Sequence, residues 1–142
     1  MKKVQIGSQE VQVGEVDKLC RVLADEVESL LVARAEQGKC AVLGLATGST
    51  PLPFYDELIR RHREEGLSFA NVISFNLDEY EGLGRDHERS YWCEMWRNLF
   101  DHVDVKQENV SVPPSVSDDP DRAAAEYEAA IQAAGGMDGQ LL

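Results

Sequence analysis

The sequence predicts an α/β fold, an open, mainly parallel sheet with helices on both faces in the Rossmann-like manner. Three observations carry this. Segments with helical apolar spacing alternate with short extended ones, the order that builds a parallel sheet. The run at 40–46 is continuously apolar, as strands covered on both faces are, and 72–77 reads as a second buried strand. Each of these runs ends directly in a polar or glycine-containing loop, and ligands of open α/β sheets bind beyond such strand ends.

The elements follow in chain order. Residues 4–6 and 11–13 are short extended pieces. A helix is expected over 15–37, because Val16, Leu19, Leu23, Val27, Leu30 and Leu31 recur at helical spacing. Gly38 suits the position just past its end. After the strand at 40–46, Thr50 is expected to cap a second helix, with Pro51 in its first position. Leu52, Tyr55, Leu58, Ile59 and His62 fall on one face of that helix, and Gly66 ends it. The second buried strand, 72–77, runs into a polar loop at 78–89. Ser90 is expected to cap a helix reaching about Phe100, and a short strand is expected at 110–112. Asp119-Pro120 opens an alanine-rich helix that stops at Gly135-Gly136. A last strand begins near 138; with Leu141-Leu142 it reads as cut off, so 1–142 is expected to be the N-terminal part of a single domain.

Composition narrows the function. A net charge of -12 argues against nucleic acid and against anionic membrane surfaces, since both need clustered cations. A phosphorylated ligand must then be held locally, by backbone N–H groups and a helix N-terminus. Cys20, Cys40 and Cys93 match no zinc or redox spacing and are expected to be free, buried thiols in a reducing compartment. No apolar stretch suits a signal peptide or a membrane span, so the expected location is the cytoplasm.

Two loops have chemical potential. In Thr47-Gly48-Ser49-Thr50-Pro51 a strand ends in a glycine turn that feeds a helix. Backbone N–H groups, three hydroxyls and the helix dipole there suit a phosphate monoester. The segment lacks the lysine of a P-loop and the glycine spacing of a dinucleotide site. A tight turn with an ordinary helix cap reads equally well from these residues alone. The second loop, Asn76-Leu77-Asp78-Glu79-Tyr80-Glu81-Gly82-Leu83, puts carboxylates at a strand end. Alternation places Asp78 and Tyr80 on one side and Glu79 on the other. A carboxylate facing a pocket beside a phosphate anchor can abstract a proton next to a carbonyl. A solvated acidic loop is the other reading. His62, His87 and His102 are scattered, and no metal site or serine nucleophile motif stands out.

Taken together, these segments resemble the glucosamine-6-phosphate deaminase family. The residues that carry the resemblance are Gly44-Leu45-Ala46-Thr47-Gly48-Ser49-Thr50-Pro51, then Ser74-Phe75-Asn76-Leu77-Asp78-Glu79-Tyr80-Glu81-Gly82-Leu83, then Ser90-Tyr91, with Asn98-Leu99-Phe100-Asp101-His102-Val103 as a further similar stretch. The resemblance implies conversion of glucosamine 6-phosphate to fructose 6-phosphate and ammonia, in amino-sugar catabolism. It implies that Asp78 is the base moving a proton between C2 and C1. It implies that Thr47, Gly48, Ser49 and Thr50 belong to the phosphate pocket and that Tyr91 lines the sugar site. No metal or organic cofactor is implied. The implied partner is a small amino-sugar phosphate, and a homo-oligomer is left open.

Two departures matter. Glu88 and Arg89 stand where family members often have a proline before the Ser-Tyr pair. The family's ring-opening histidine and most of its phosphate-gripping cations are expected beyond residue 142, so this segment alone is expected to be inactive. The related 6-phosphogluconolactonases are the nearest alternative. They typically carry Asp-Glu-Arg where this chain has Asp78-Glu79-Tyr80, and Tyr80 therefore favours the deaminase. A non-catalytic sugar-phosphate sensor on the same scaffold is the third reading.

Overall fold

The computed structural model describes residues 1–141. The first strands, β1 (Lys2–Ile6) and β2 (Gln9–Val13), pair antiparallel as a hairpin, with Val4 opposite Val11. Gly7 turns the hairpin at φ 61°, a left-handed conformation that glycine adopts without Cβ strain. This hairpin is separate from the main sheet.

The main unit follows in order: α1 (Val16–Glu36), β3 (Ala41–Leu45), α2 (Leu52–Glu65), β4 (Val72–Asn76), α3 (Tyr91–Asn98), β5 (Val110–Ser111), α4 (Pro120–Ala133) and β6 (Gly139–Gln140). The four later strands form one parallel sheet in the order β5-β4-β3-β6. Leu43 pairs with Ser74 and Leu45 with Asn76 on one side of β3, and Leu43 pairs with Gly139 on the other. Every residue of β3 is buried, as its continuous apolar run requires.

One core cluster joins Ala24 and Leu31 of α1, Leu43 and Leu45 of β3, Phe54, Tyr55 and Leu58 of α2, and Met95 near the end of α3. Phe75 of β4 faces the opposite way and meets the Tyr127 ring of α4 edge-on at 5.7 Å. Helices therefore cover both faces, as expected. Arg61 ties α2 to α1 from a buried position, reaching Asp25 at 2.8 Å and Glu57 at 3.1 Å. Asp138 fastens β6 to the sheet, its carboxylate accepting from the Val42 N–H at 2.8 Å and from Arg34 at 2.7 Å.

Several local expectations change. Thr50 does not cap α2: Pro51 stands in the cap position, no side chain bonds the first turn, and the Leu52 N–H turns back to the Ser49 carbonyl. The strand expected to reach Leu77 ends at Asn76, and Leu77 is 38% exposed. The helix capped by Ser90 ends at Asn98, and its last expected turn is a separate 3-10 turn at Phe100–His102. The three cysteines are free but not buried; Cys40 is exposed and Cys20 and Cys93 are half-buried. The final strand covers only Gly139–Gln140, and Leu142 lies outside the described residues. No helix among the described residues is long and apolar enough to cross a membrane.

Candidate active site

The sheet order dictates where a ligand can sit. From β3 the chain crosses to β4 on one side, while β6 returns on the other. That reversal leaves a crevice beyond the strand ends, where open α/β sheets bind ligands. The 47–50 loop leaves β3 at this point, and Asp78 follows the end of the adjacent β4.

Thr47 is half-buried, while Gly48, Ser49 and Thr50 are exposed. Gly48 has φ 102°, which bends the loop in a way a residue with a Cβ resists. Among the described residues, the N–H groups of all four donate to no other backbone or side chain. They are available to an anion, and α2 begins immediately behind them.

Asp78 is exposed, two residues past the end of β4. Tyr91, the first residue of α3, joins the two loops. A hydrogen bond with Tyr80, partial burial and the negative charge of Asp78 hold the Tyr91 phenol above its ordinary acidity range, and the Thr47 side chain, also bonded to it, pulls the other way. The Tyr80 and Tyr91 rings lie 4.6 Å apart, centroid to centroid. Tyr80, Thr47 and Asp78 thus all act on the Tyr91 phenol from other segments of the chain.

Glu79 plays a part that strand alternation did not reveal. Its carboxylate accepts from the backbone N–H of Tyr91 at 2.7 Å, of Trp92 at 3.2 Å and of Tyr80 at 2.9 Å. Ser90 completes this helix start by accepting from the Cys93 N–H at 3.2 Å. A charged acceptor at a helix N-terminus satisfies orphan donors and meets the positive end of the dipole. Glu79 therefore fastens the acidic loop to α3 and sets where Tyr91 stands relative to Asp78.

Two tyrosines hold the strand ends from below. The Tyr55 hydroxyl contacts both the N–H and the carbonyl of Ala46. The Tyr127 hydroxyl reaches the carbonyl oxygens of Asn76 at 2.7 Å and Ser111 at 3.2 Å. The histidines serve elsewhere: the His62 ring meets the Leu67 carbonyl, His102 meets Arg63 and the Arg97 carbonyl, and His87 accepts from the Arg89 N–H. No cluster of metal-binding side chains occurs among the described residues. An apolar cleft of about 310 Å³ lies between α1 and the β3–β6 edge, lined by Leu23, Val27, Leu30, Phe54 and Leu141 among others. None of the candidate residues lines it, and its walls suit no phosphate.

The fold and its strand-end loops define an open α/β protein with a parallel sheet that reverses its strand order beside β3. Residues 14–141 match the glucosamine-6-phosphate isomerase/6-phosphogluconolactonase family, and the chain belongs to that family. Over 102 residues it is 56% identical to a glucosamine-6-phosphate deaminase of Corynebacterium kroppenstedtii, covering 72% of this chain and 40% of that protein. A glucosamine-6-phosphate deaminase of Clostridium botulinum is 37% identical over 132 residues, covering 93% of this chain and 52% of the relative. The chain thus spans about half the length, or less, of the curated relatives it matches. A solved structure described as a monomeric glucosamine-6-phosphate deaminase superposes with TM-score 0.84 at 36% identity, over 93% of this chain and 53% of the other. A 6-phosphogluconolactonase from Thermotoga maritima superposes with TM-score 0.64 at 22% identity, over 87% and 52%; this likeness concerns the fold alone.

Proposed function

We propose that this chain contributes the phosphate cradle and the proton-transfer base of a glucosamine-6-phosphate deaminase. The observation that carries the reading is the placement of the 47–50 loop and of Asp78 beyond the ends of two adjacent parallel strands. The 47–50 amides hold the phosphate. The Asp78 carboxylate takes the C2 proton of the open-chain amino sugar and returns it at C1, while a proton from the substrate's ammonium passes to O1. The resulting C2 iminium is hydrolysed by water to the ketone, fructose 6-phosphate, and ammonia. Tyr91 lines the sugar site and hydrogen-bonds within it. The named relatives and Tyr80 in the Asp78-Glu79-Tyr80 sequence favour this over a lactonase.

Because the chain spans 40% of the Corynebacterium relative, the test uses a chimera in which this chain replaces the segment it matches there. Ammonia release from glucosamine 6-phosphate is measured with and without Asp78→Asn. The amide is nearly isosteric but cannot accept the proton, so turnover should fall by ~10²–10⁴-fold while sugar-phosphate affinity is kept. Undiminished turnover in the substituted chimera removes Asp78 from the mechanism. A 6-phosphogluconolactone hydrolysis faster than deamination favours the second reading.

A further inference from the structure

We infer that Tyr55 is a positioning residue of the candidate site: its hydroxyl bonds both backbone groups of Ala46, between β3 and the 47–50 loop, and so holds that loop in its ligand-receiving shape. The inference rests on reading that loop as the phosphate cradle.

A strand between two parallel neighbours presents alternate residues to each. On the β6 edge the residues of β3 whose carbonyls accept bonds are Val42 and Gly44. The Val42 carbonyl accepts from the Asp138 N–H at 2.8 Å, and the Gly44 carbonyl accepts from the Leu141 N–H at 2.8 Å. Ala46 is the next residue on that edge. Its N–H donates to the Tyr55 hydroxyl oxygen at 3.2 Å, and its carbonyl accepts from the same hydroxyl at 2.5 Å. One side chain thus bonds both backbone groups of the residue that leads from β3 into the loop.

The same residue closes the loop from its other end. Tyr55 lies in the first turn of α2, and its backbone N–H bonds the Pro51 carbonyl at 3.0 Å. Its main chain is tied to the start of the helix and its hydroxyl to the end of the strand, with 47–50 between them. The ring is 1% exposed, so the anchor does not compete with solvent. Burial also holds the phenol well above its ordinary acidity range, which keeps the O–H a donor at any working pH. Phenylalanine would keep the ring volume and leave both Ala46 groups without this partner.

The test uses the ¹⁵N-labelled chain as it is, with Tyr55→Phe and, as a control, Tyr127→Phe. The control also removes a buried phenol hydroxyl, but from the end of β4. In Tyr55→Phe the backbone order parameters at 46–50 should fall from about 0.85 to about 0.6, with 77–80 unchanged. Tyr127→Phe should leave 46–50 as they were. Titration with inorganic phosphate and with glucosamine 6-phosphate should show affinity weakened ~3–10-fold in Tyr55→Phe alone. In the unsubstituted chain the Ala46 amide should exchange with solvent more slowly than those of 47–50, a readout that stands even if a variant fails to fold. Unchanged order in Tyr55→Phe, an equal loss in both variants, or an Ala46 amide exchanging as fast as its neighbours overturns the assignment. If the unsubstituted chain binds neither ligand, the functional reading fails, while order parameters and exchange still decide the role of Tyr55.

Discussion

The Glu79 carboxylate accepts the Tyr91 backbone N–H at 2.7 Å, across twelve residues of sequence. This bond turns an acidic residue of a strand-end loop into the cap of the following helix. Asp78 and Glu79 thereby differ in their surroundings: Asp78 is exposed past the strand end, while Glu79 is bonded to the start of the helix that carries Tyr91.

Glu79→Ala should therefore destabilise the chain by about 1–3 kcal/mol, because a charged acceptor is removed from several backbone donors. Urea unfolding measures this. A midpoint equal to that of the unsubstituted chain would mean that solvent satisfies the α3 N-terminus as well as Glu79 does.

Gly48→Ala should strain the cradle. Nothing lies within 4 Å of a Cβ added there, so no clash is expected, but φ at this position is 102°. The cost is expected at about 1 kcal/mol or more, from backbone conformation alone. Inorganic phosphate affinity should fall with it. An unaffected affinity would show that the loop reaches its ligand through another conformation.

Acid should weaken the ion pairs within α2 through Glu57. Its hydrogen bond to Arg60 is the largest effect and the bond to Arg61 adds to it; together they overcome the opposing effect of burial and lower the carboxyl from an ordinary 4.5 to about 2. A lowered folded-state pKa stabilises above the unfolded value and is lost as pH falls through the folded one. The contribution is therefore complete above about pH 4.5 and fades toward pH 2. Glu57→Gln should be less stable at neutral pH and show a flatter stability curve across that window. Chemical unfolding at a series of pH values checks both.

The parts of this molecule that were legible in the sequence are those with a local signature. The apolar run of β3, the alternation of strand and helix, the Ser90 cap, the helix opened at Asp119-Pro120 and the terminating glycines at 38 and 66 all appear where expected. The 47–50 loop and Asp78 also fall beyond adjacent strand ends, as the order of segments implied. Thr50 misled because a hydroxyl before a proline resembles a cap, while the turn from Ser49 places Pro51 in that position instead. Glu79, Tyr55 and Tyr127 left no local mark. Their bonds span 12, 9 and 51 residues, and only the assembled sheet brings those groups together. Periodicity could mark Tyr55 as a core face residue but not reveal what its hydroxyl holds.

The most direct measurement of the central claim is a titration of the ¹⁵N-labelled chain with glucosamine 6-phosphate, followed amide by amide. The account predicts saturable shifts concentrated at Thr47, Gly48, Ser49, Thr50, Asp78 and Tyr91, the groups at the ends of β3 and β4 and the start of α3. Shifts confined to the apolar cleft beside α1, or none at millimolar ligand, would contradict it.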